Sequence, residues 1–481
     1  MTTRICSALL LIAAPSLWAS DLRLGAGYEY STGDYGLSQD TRQHAVPLSV
    51  SWYDNGWLES RTDPNGATTA HVVDDAGRLT ERVYDGGVKD LFTYDAGGRL
   101  IGATTGLYPT GFPVQRAYDP ADRLVAETQL GKTVVYGHDR RSLETSVTLP
   151  GGVPILRTWS NRGELAAIEA LGTRYLGQAF DAAGHPTVRR MGDDLFVTDL
   201  TYDSRDRLTS VAHSRGPTDL GSLAYAYDAE GHKLVEQDLT FPTRSQTFGY
   251  DADYRLVDWQ AGPLGGPATT TRSWTLDPVA NWDTTTLDGL LTTCVHSAVH
   301  ELVQQGATSL TYDAAGNLVE DGTFTYQWDP AGHLREVRLV ADDSLVARYA
   351  YDAFGRRVAR IDAVTPEQRL YLYDGDEVLQ EYTLQLQHVA TYVLGDGIDR
   401  PVARVGSQTL YYLTNGLGSP MLLVDGTGAV VERYAYVDDL VVTEPPIQYY
   451  IDILENEKKI KPGAVSVKDV YTNQFNALAK A

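Results

Sequence analysis

Cysteine is nearly missing from this sequence, and its two copies, Cys6 and Cys294, are too few for a disulfide framework. Lysine is scarce as well. Between residues 20 and 439 it occurs only at Lys89, Lys132 and Lys233. The formal net charge is −23, and no basic stripe offsets it, which argues against a nucleic-acid partner. The acidity does not mark an active site either, because many of the carboxylates fall in repeated turns. Long helical periodicity is absent over most of the length. So are a Gly-x-Ser-x-Gly nucleophile elbow, a phosphate loop and a His-Glu-x-x-His zinc motif. What the 481 residues do hold is 30 Tyr and 45 Gly. That balance points to an all-β, turn-rich chain, either one long array or two to three ordinary domains.

The organising stretch is Leu310 to Val340. It carries one phrase twice, Tyr312-Asp313-Ala-Ala-Gly316-Asn-Leu318 and Trp328-Asp329-Pro-Ala-Gly332-His-Leu334. Asp321-Gly322, a hairpin dipeptide, lies between the copies. After it Phe324, Tyr326 and Trp328 alternate as a half-buried strand requires. Each part of the phrase has a physical task. The aromatic ends a strand and packs across its face, and the Asp accepts backbone N–H groups at the turn. The Gly takes positive φ, and the Leu starts the returning strand. Tyr-Asp recurs at Tyr53, Tyr84, Tyr94, Tyr118, Tyr202, Tyr227, Tyr250, Tyr312, Tyr351 and Tyr373, with degenerate copies at Val73-Asp74, Phe180-Asp181 and Trp328-Asp329. Phe180, Tyr202, Tyr227 and Tyr250 follow one another at 22, 25 and 23 residues. A phrase that returns at a near-fixed period means stacked β-hairpins, each of which needs its neighbours to bury an apolar face. Pro- and Gly-rich insertions at Leu107 to Pro113, Leu149 to Pro154 and Ala261 to Pro267 read as loops between hairpins, since the period resumes after each.

On these residues the chain resembles the Rhs or YD-repeat family, which includes bacterial wall-associated proteins, toxin shells and the teneurins. The resemblance runs from about Tyr53 to Tyr436. Its far end is the most specific part, with LYLYDGDEVLQEY from Leu370, TYVLGDGIDRPVARV from Thr391 and YYLTNGLGSPMLLVDGTGAVVERYAY from Tyr411. It looks like the closing segment of the Rhs core, residues 370–436. The resemblance implies stacked YD-repeat hairpins in a spiralling antiparallel sheet, a partial Rhs- or teneurin-like shell. In the family such shells often enclose a C-terminal toxic polypeptide.

The two ends differ in character from the repeats. Residues 1–19 read as a Sec-type secretory signal, with Arg4 ahead of the apolar run Ala8 to Ala14, which is too short to span a bilayer. Cleavage after Ala19 leaves Cys294 as the sole cysteine, and no lipobox precedes Cys6. The expected location is therefore extracellular, at the cell surface or periplasmic in a Gram-negative bacterium. Residues 20–53 read as a β-hairpin cap, similar in GAGYEYSTGDYG and VPLSVSW to opening strands of outer-membrane barrels. Two strands cannot close a barrel, because about eight are the minimum. Residues 54–439 are the repeat region. Residues 440–481 are a variable tail with five Lys and no Arg, in which Ile447 to Ile460 has the pattern of a short amphipathic α-helix.

Three constellations could carry chemistry. Cys294, His296, His300 and Glu301 have the spacing for two imidazoles on one helical face, but not the ligand order of a zinc site. Asp374, Asp376 and Glu377 lack calcium-loop spacing and read as turn caps. Family shells that cut themselves do so at an Asp-Pro-x-Gly-Leu junction with an aspartate pair. Here Asp438 and Asp439 stand after Tyr436 with neither Asp-Pro nor Gly-Leu. No catalytic residue, cofactor site or metal site is assigned. The expectation is an exported, non-enzymatic YD-repeat scaffold, a partial β shell for encapsulation or cell-surface interaction. The alternatives are a toxin-delivery protein with an active C-terminal tail and a glycan-binding surface adhesin. The corresponding partners are a C-terminal cargo polypeptide, a cell-surface glycan or protein, or a second copy pairing at an open sheet edge.

Overall fold

The computed structural model describes residues 49–363, 368–397 and 400–434. The signal, most of the N-terminal hairpin and the tail helix expected at Ile447 to Ile460 lie outside them. The described chain forms two compact units, residues 49–132 with 293–372, and residues 133–292 with 373–434. Both are all-β, and each strand pairs antiparallel with its chain neighbour. Helical structure among the described residues is limited to two single 3-10 turns, Asp85–Gly87 and Pro242–Arg244.

The hairpin of Lys89–Tyr94 and Leu100–Thr105 shows how the phrase folds. Asp90, Phe92 and Tyr94 point to one face, and the first two are buried there. Gly98 donates its N–H to the Asp95 carbonyl at 3.0 Å, and Asp95 donates to the Arg99 carbonyl at 3.0 Å. Gly98 holds φ 86°. This is a tight turn closed by a bulge, and the register slips by one between Thr93 and Tyr94 so that Tyr94 faces Leu100. The same slip puts Tyr118 opposite Leu124, Tyr202 opposite Leu208 and Tyr250 opposite Leu256. In those three turns Asp122, Asp206 and Tyr254 take the left-handed position in place of Gly. The expected roles of aromatic, Asp and Leu therefore hold, while the Gly is replaceable.

The first unit has its apolar centre at Phe92, Ala103 and Ala353, with Leu79, Tyr94, Leu100 and Phe354 packed around it. Its strand ladder changes hands at Leu310. Thr308–Ser309 pairs back with Leu302–Gln305, whereas Thr311–Tyr312 pairs forward with Leu318–Glu320. In the second unit the closing strands are covered on both faces. Met421, Leu422, Leu423 and Val424 are consecutive and all buried, which replaces alternation with a continuous apolar run. Earlier strands of the same unit supply the cover. Phe196 lies against Tyr411 with ring centroids 5.3 Å apart. Gly416 approaches Leu208 and Tyr225 so closely that a Cβ there would sit 2.7 Å from Leu208 Cδ2. A side chain there would force Leu208 to shift.

Candidate functional site

The chemistry-bearing groups of the repeats converge on one device. In many of the turns the Asp carboxylate caps the backbone and also grips the side chain four residues on. Asp119 Oδ1 accepts the Ala121 and Arg123 N–H groups at 2.8 and 3.1 Å, and its Oδ2 accepts Arg123 Nε at 2.7 Å. Asp95 does the same with Arg99, at 3.0 Å to the N–H and 2.6 Å to Nε. The arginine then reaches onward. Arg99 Nη1 donates to the carbonyl of Asp119, in the next turn, at 2.9 Å. Arg78 donates likewise to Asp95 (3.3 Å), Arg207 to Asp228 (2.8 Å) and Arg255 to Asp277 (3.1 Å).

A second line of bonds runs beside the first. The Tyr94 hydroxyl donates to the Leu79 carbonyl at 2.9 Å, Tyr118 to Leu100 at 3.0 Å, Tyr227 to Leu208 at 2.8 Å and Tyr351 to Leu334 at 2.9 Å. Where the aromatic is Trp328, its Nε1 donates to Leu318 at 2.8 Å. Between the two lines the cation of one turn covers the ring of the next. Arg78 lies 4.9 Å from the Tyr94 centroid and Arg99 5.4 Å from that of Tyr118. His333 stacks on Tyr351 at 4.5 Å in the same relation. The Asp74 and Asp95 turns are thus each tied to their successor by a guanidinium, a phenol and a cation–ring contact.

Electrostatics follow from this geometry. The Arg78 guanidinium holds Asp74 below the usual carboxylate range, and Arg99, Arg123 and Arg255 do so for Asp95, Asp119 and Asp251. A carboxylate that already accepts two amides and a guanidinium is committed to structure. It is poorly placed to shuttle protons.

Away from the turns, both units bury polar groups. In the first, Arg356 donates to Asp352 at 2.7 Å and to Glu127 at 2.9 Å, and Glu127 also receives Arg116 at 2.6 Å. Tyr108 donates to Asp329 at 2.7 Å. In the second, His213 is fully enclosed. Its Nδ1 lies 2.9 Å from Thr198 Oγ1, and its Nε2 lies 3.1 Å from the Thr414 carbonyl, which fixes the proton on Nε2. Burial lowers its pKa to about 4. Beside it opens a cavity of about 400 Å³ over buried Leu165, Leu176, Met191 and Leu200, with Arg189 and Arg400 in its wall.

The residues singled out from the sequence are placed as follows. Cys294 is buried and ends the pairing strand with His296, which faces Leu302. His300 sits in the turn at φ 67°, and Glu301 bonds Ser297 at 3.0 Å. This segment is strand, turn and strand, so the helical spacing that would align its imidazoles does not arise. Asp374 Oδ2 lies 3.9 Å from Arg157 Nη2. Among the described residues no three Cys, His, Asp or Glu side chains converge as metal ligands. Asp438 and Asp439 lie outside the described residues. The sequence reading missed the residue four after each Asp, although Asp-x-x-x-Arg at Asp74, Asp95, Asp119, Asp203, Asp251 and Asp352 is a readable signal. It also missed the cavity, for which no local pattern exists.

Residues 176–438 match the family model of the teneurin YD-shell. Among solved structures, TcdB2-TccC3 is similar with a TM-score of 0.59 at 17% identity, over 82% of this chain and 26% of that one. A Photorhabdus luminescens Tc holotoxin pore gives 0.57 at 16% over 81% and 26%. TcdB2-TccC3 without its hypervariable C-terminal region gives 0.55 at 15% over 81% and 26%. At such identities the likeness is one of fold, and the chain spans about a quarter of the length of those chains. No curated protein matches the chain.

Proposed function

The chain belongs to the teneurin YD-shell family, and on that footing we propose that it is an exported, non-enzymatic scaffold, a segment of β shell that presents or encloses a polypeptide joined at its C-terminal end. The observation that carries this reading is the fate of the repeated carboxylates. Asp74, Asp95, Asp119 and Asp251 are each consumed in capping a turn and holding the arginine four residues on. The abundant acidic groups thereby do mechanical work. Composition changes after residue 439, where lysine returns and arginine stops. One structure of similar fold names a hypervariable C-terminal region in its own chain. Residues 440–481 would then be a replaceable piece of cargo, not a part of the shell.

A tail exchange tests this. Replacing residues 440–481 with an unrelated peptide should leave export, yield and the melting temperature of the repeat region unchanged. Loss of folding or export on that exchange would contradict a modular scaffold. The purified repeat region binding to a glycan array would favour the adhesin reading instead.

A further inference from the structure

We propose that the cavity in the second unit is a binding site for a small carboxylate carried on an apolar body, held by Arg189 and Arg400. The cavity is a recess of about 400 Å³, within the range of sites that take small organic ligands. Its floor is apolar, made by Leu165, Leu176, Met191 and Leu200, all buried. Its wall carries two cations from distant parts of the chain.

Arg189 is the unusual member. It projects from Pro186–Met191, and its bonds are to neutral oxygens, Gln178 Oε1 at 3.3 Å and Thr414 Oγ1 at 3.5 Å. Among the described residues no carboxylate lies within ion-pair distance of either guanidinium. Asp396 shares the cavity lining without reaching them. Burial lowers the pKa of Arg189, and the charge of Arg400 adds to the effect. Arg189 is half-buried; the buried Arg356, by contrast, is matched by Asp352 and Glu127. A half-buried guanidinium that lines the same recess as an exposed second cation gains when an anion joins it. The guanidinium fork suits a planar carboxylate in particular. The apolar floor in turn selects a ligand with a hydrophobic body over a bare inorganic ion.

Thermal melts of the full chain in sodium benzoate, benzyl alcohol and inorganic phosphate, at matched ionic strength, test the assignment. Benzoate should raise the melting temperature saturably. Benzyl alcohol, which lacks the charge, and phosphate, which lacks the apolar body, should not. Arg189→Met should abolish the benzoate shift while melting at or above the parent temperature without ligand, because it removes an unmatched charge. An arginine with a merely structural role would instead lower that temperature when replaced. If Arg189→Met fails to fold, Arg400→Met at the rim should still weaken the benzoate response at least several-fold in half-saturating concentration. Equal shifts with benzyl alcohol or phosphate, or a benzoate response that survives both substitutions, would overturn the proposal.

Discussion

At the scale of single residues, the turn arginine turns a string of local hairpins into a stack. Its partner Asp can be read from the sequence, since an Asp before a Gly-containing turn has an evident capping task. The arginine's second bond cannot. Arg99 spends its Nη1 on the Asp119 carbonyl, twenty residues on, and nothing local marks that carbonyl as the acceptor. The pH dependence follows from the lowered carboxylates. Asp95 and Asp119 have folded-state pKa values below the ordinary 3.8, so their contribution is present above that value and is lost as pH falls below it. Arg99→Met should therefore flatten the acid limb of the stability profile below pH 3.8, as followed by denaturant unfolding across pH. His213 acts in a different window. The unfolded imidazole takes up a proton near 6.5, while the enclosed one resists until about 4. Stability is thus fully present above 6.5 and declines as pH falls toward 4, by roughly 3 kcal/mol at most. His213→Gln should remove that decline, and a difference between the parent and variant profiles that stays level from pH 6.5 to 4 would contradict it.

At the scale of the element, the hairpin was the most legible part of the chain. Tyr94, Asp95, Gly98 and Leu100 take the strand-end, cap, left-handed and strand-start places that the phrase implies. Less legible was how one hairpin holds the next. The Tyr118 hydroxyl reaches back 18 residues to Leu100, a distance set by hairpin length and not by any local motif. Tyr118→Phe should cost roughly 1 kcal/mol, the typical net worth of one such bond. Tyr254, 61% exposed in its turn, is the control, and Tyr254→Phe should change stability by less than about 0.5 kcal/mol. Equal losses from the two substitutions would mean that the phenol bonds do not join the hairpins. The closing strands Thr409–Thr414 and Pro420–Asp425 defeated alternation for a physical reason. They are covered on both faces, so their apolar run carries no period to read.

At the scale of the whole molecule, repetition made the fold class readable, because a phrase that recurs ten times outweighs the ambiguity of any one strand. The cavity was not readable, because Arg189 and Arg400 meet only through the packing of strands far apart in sequence. The functional account rests on the chain being a scaffold that does no chemistry on itself. Asp438 and Asp439 are the carboxylates between Tyr436 and Leu440 in the sequence. The junction lacks Asp-Pro and Gly-Leu. Intact mass of the full chain, exported and then incubated over days between pH 5 and 8, is the most direct test. The account predicts one species that begins at Ser20, ends at Ala481 and does not change with time. A fragment beginning near Leu440 that accumulates with time, and is abolished by Asp438→Asn or Asp439→Asn, would contradict it.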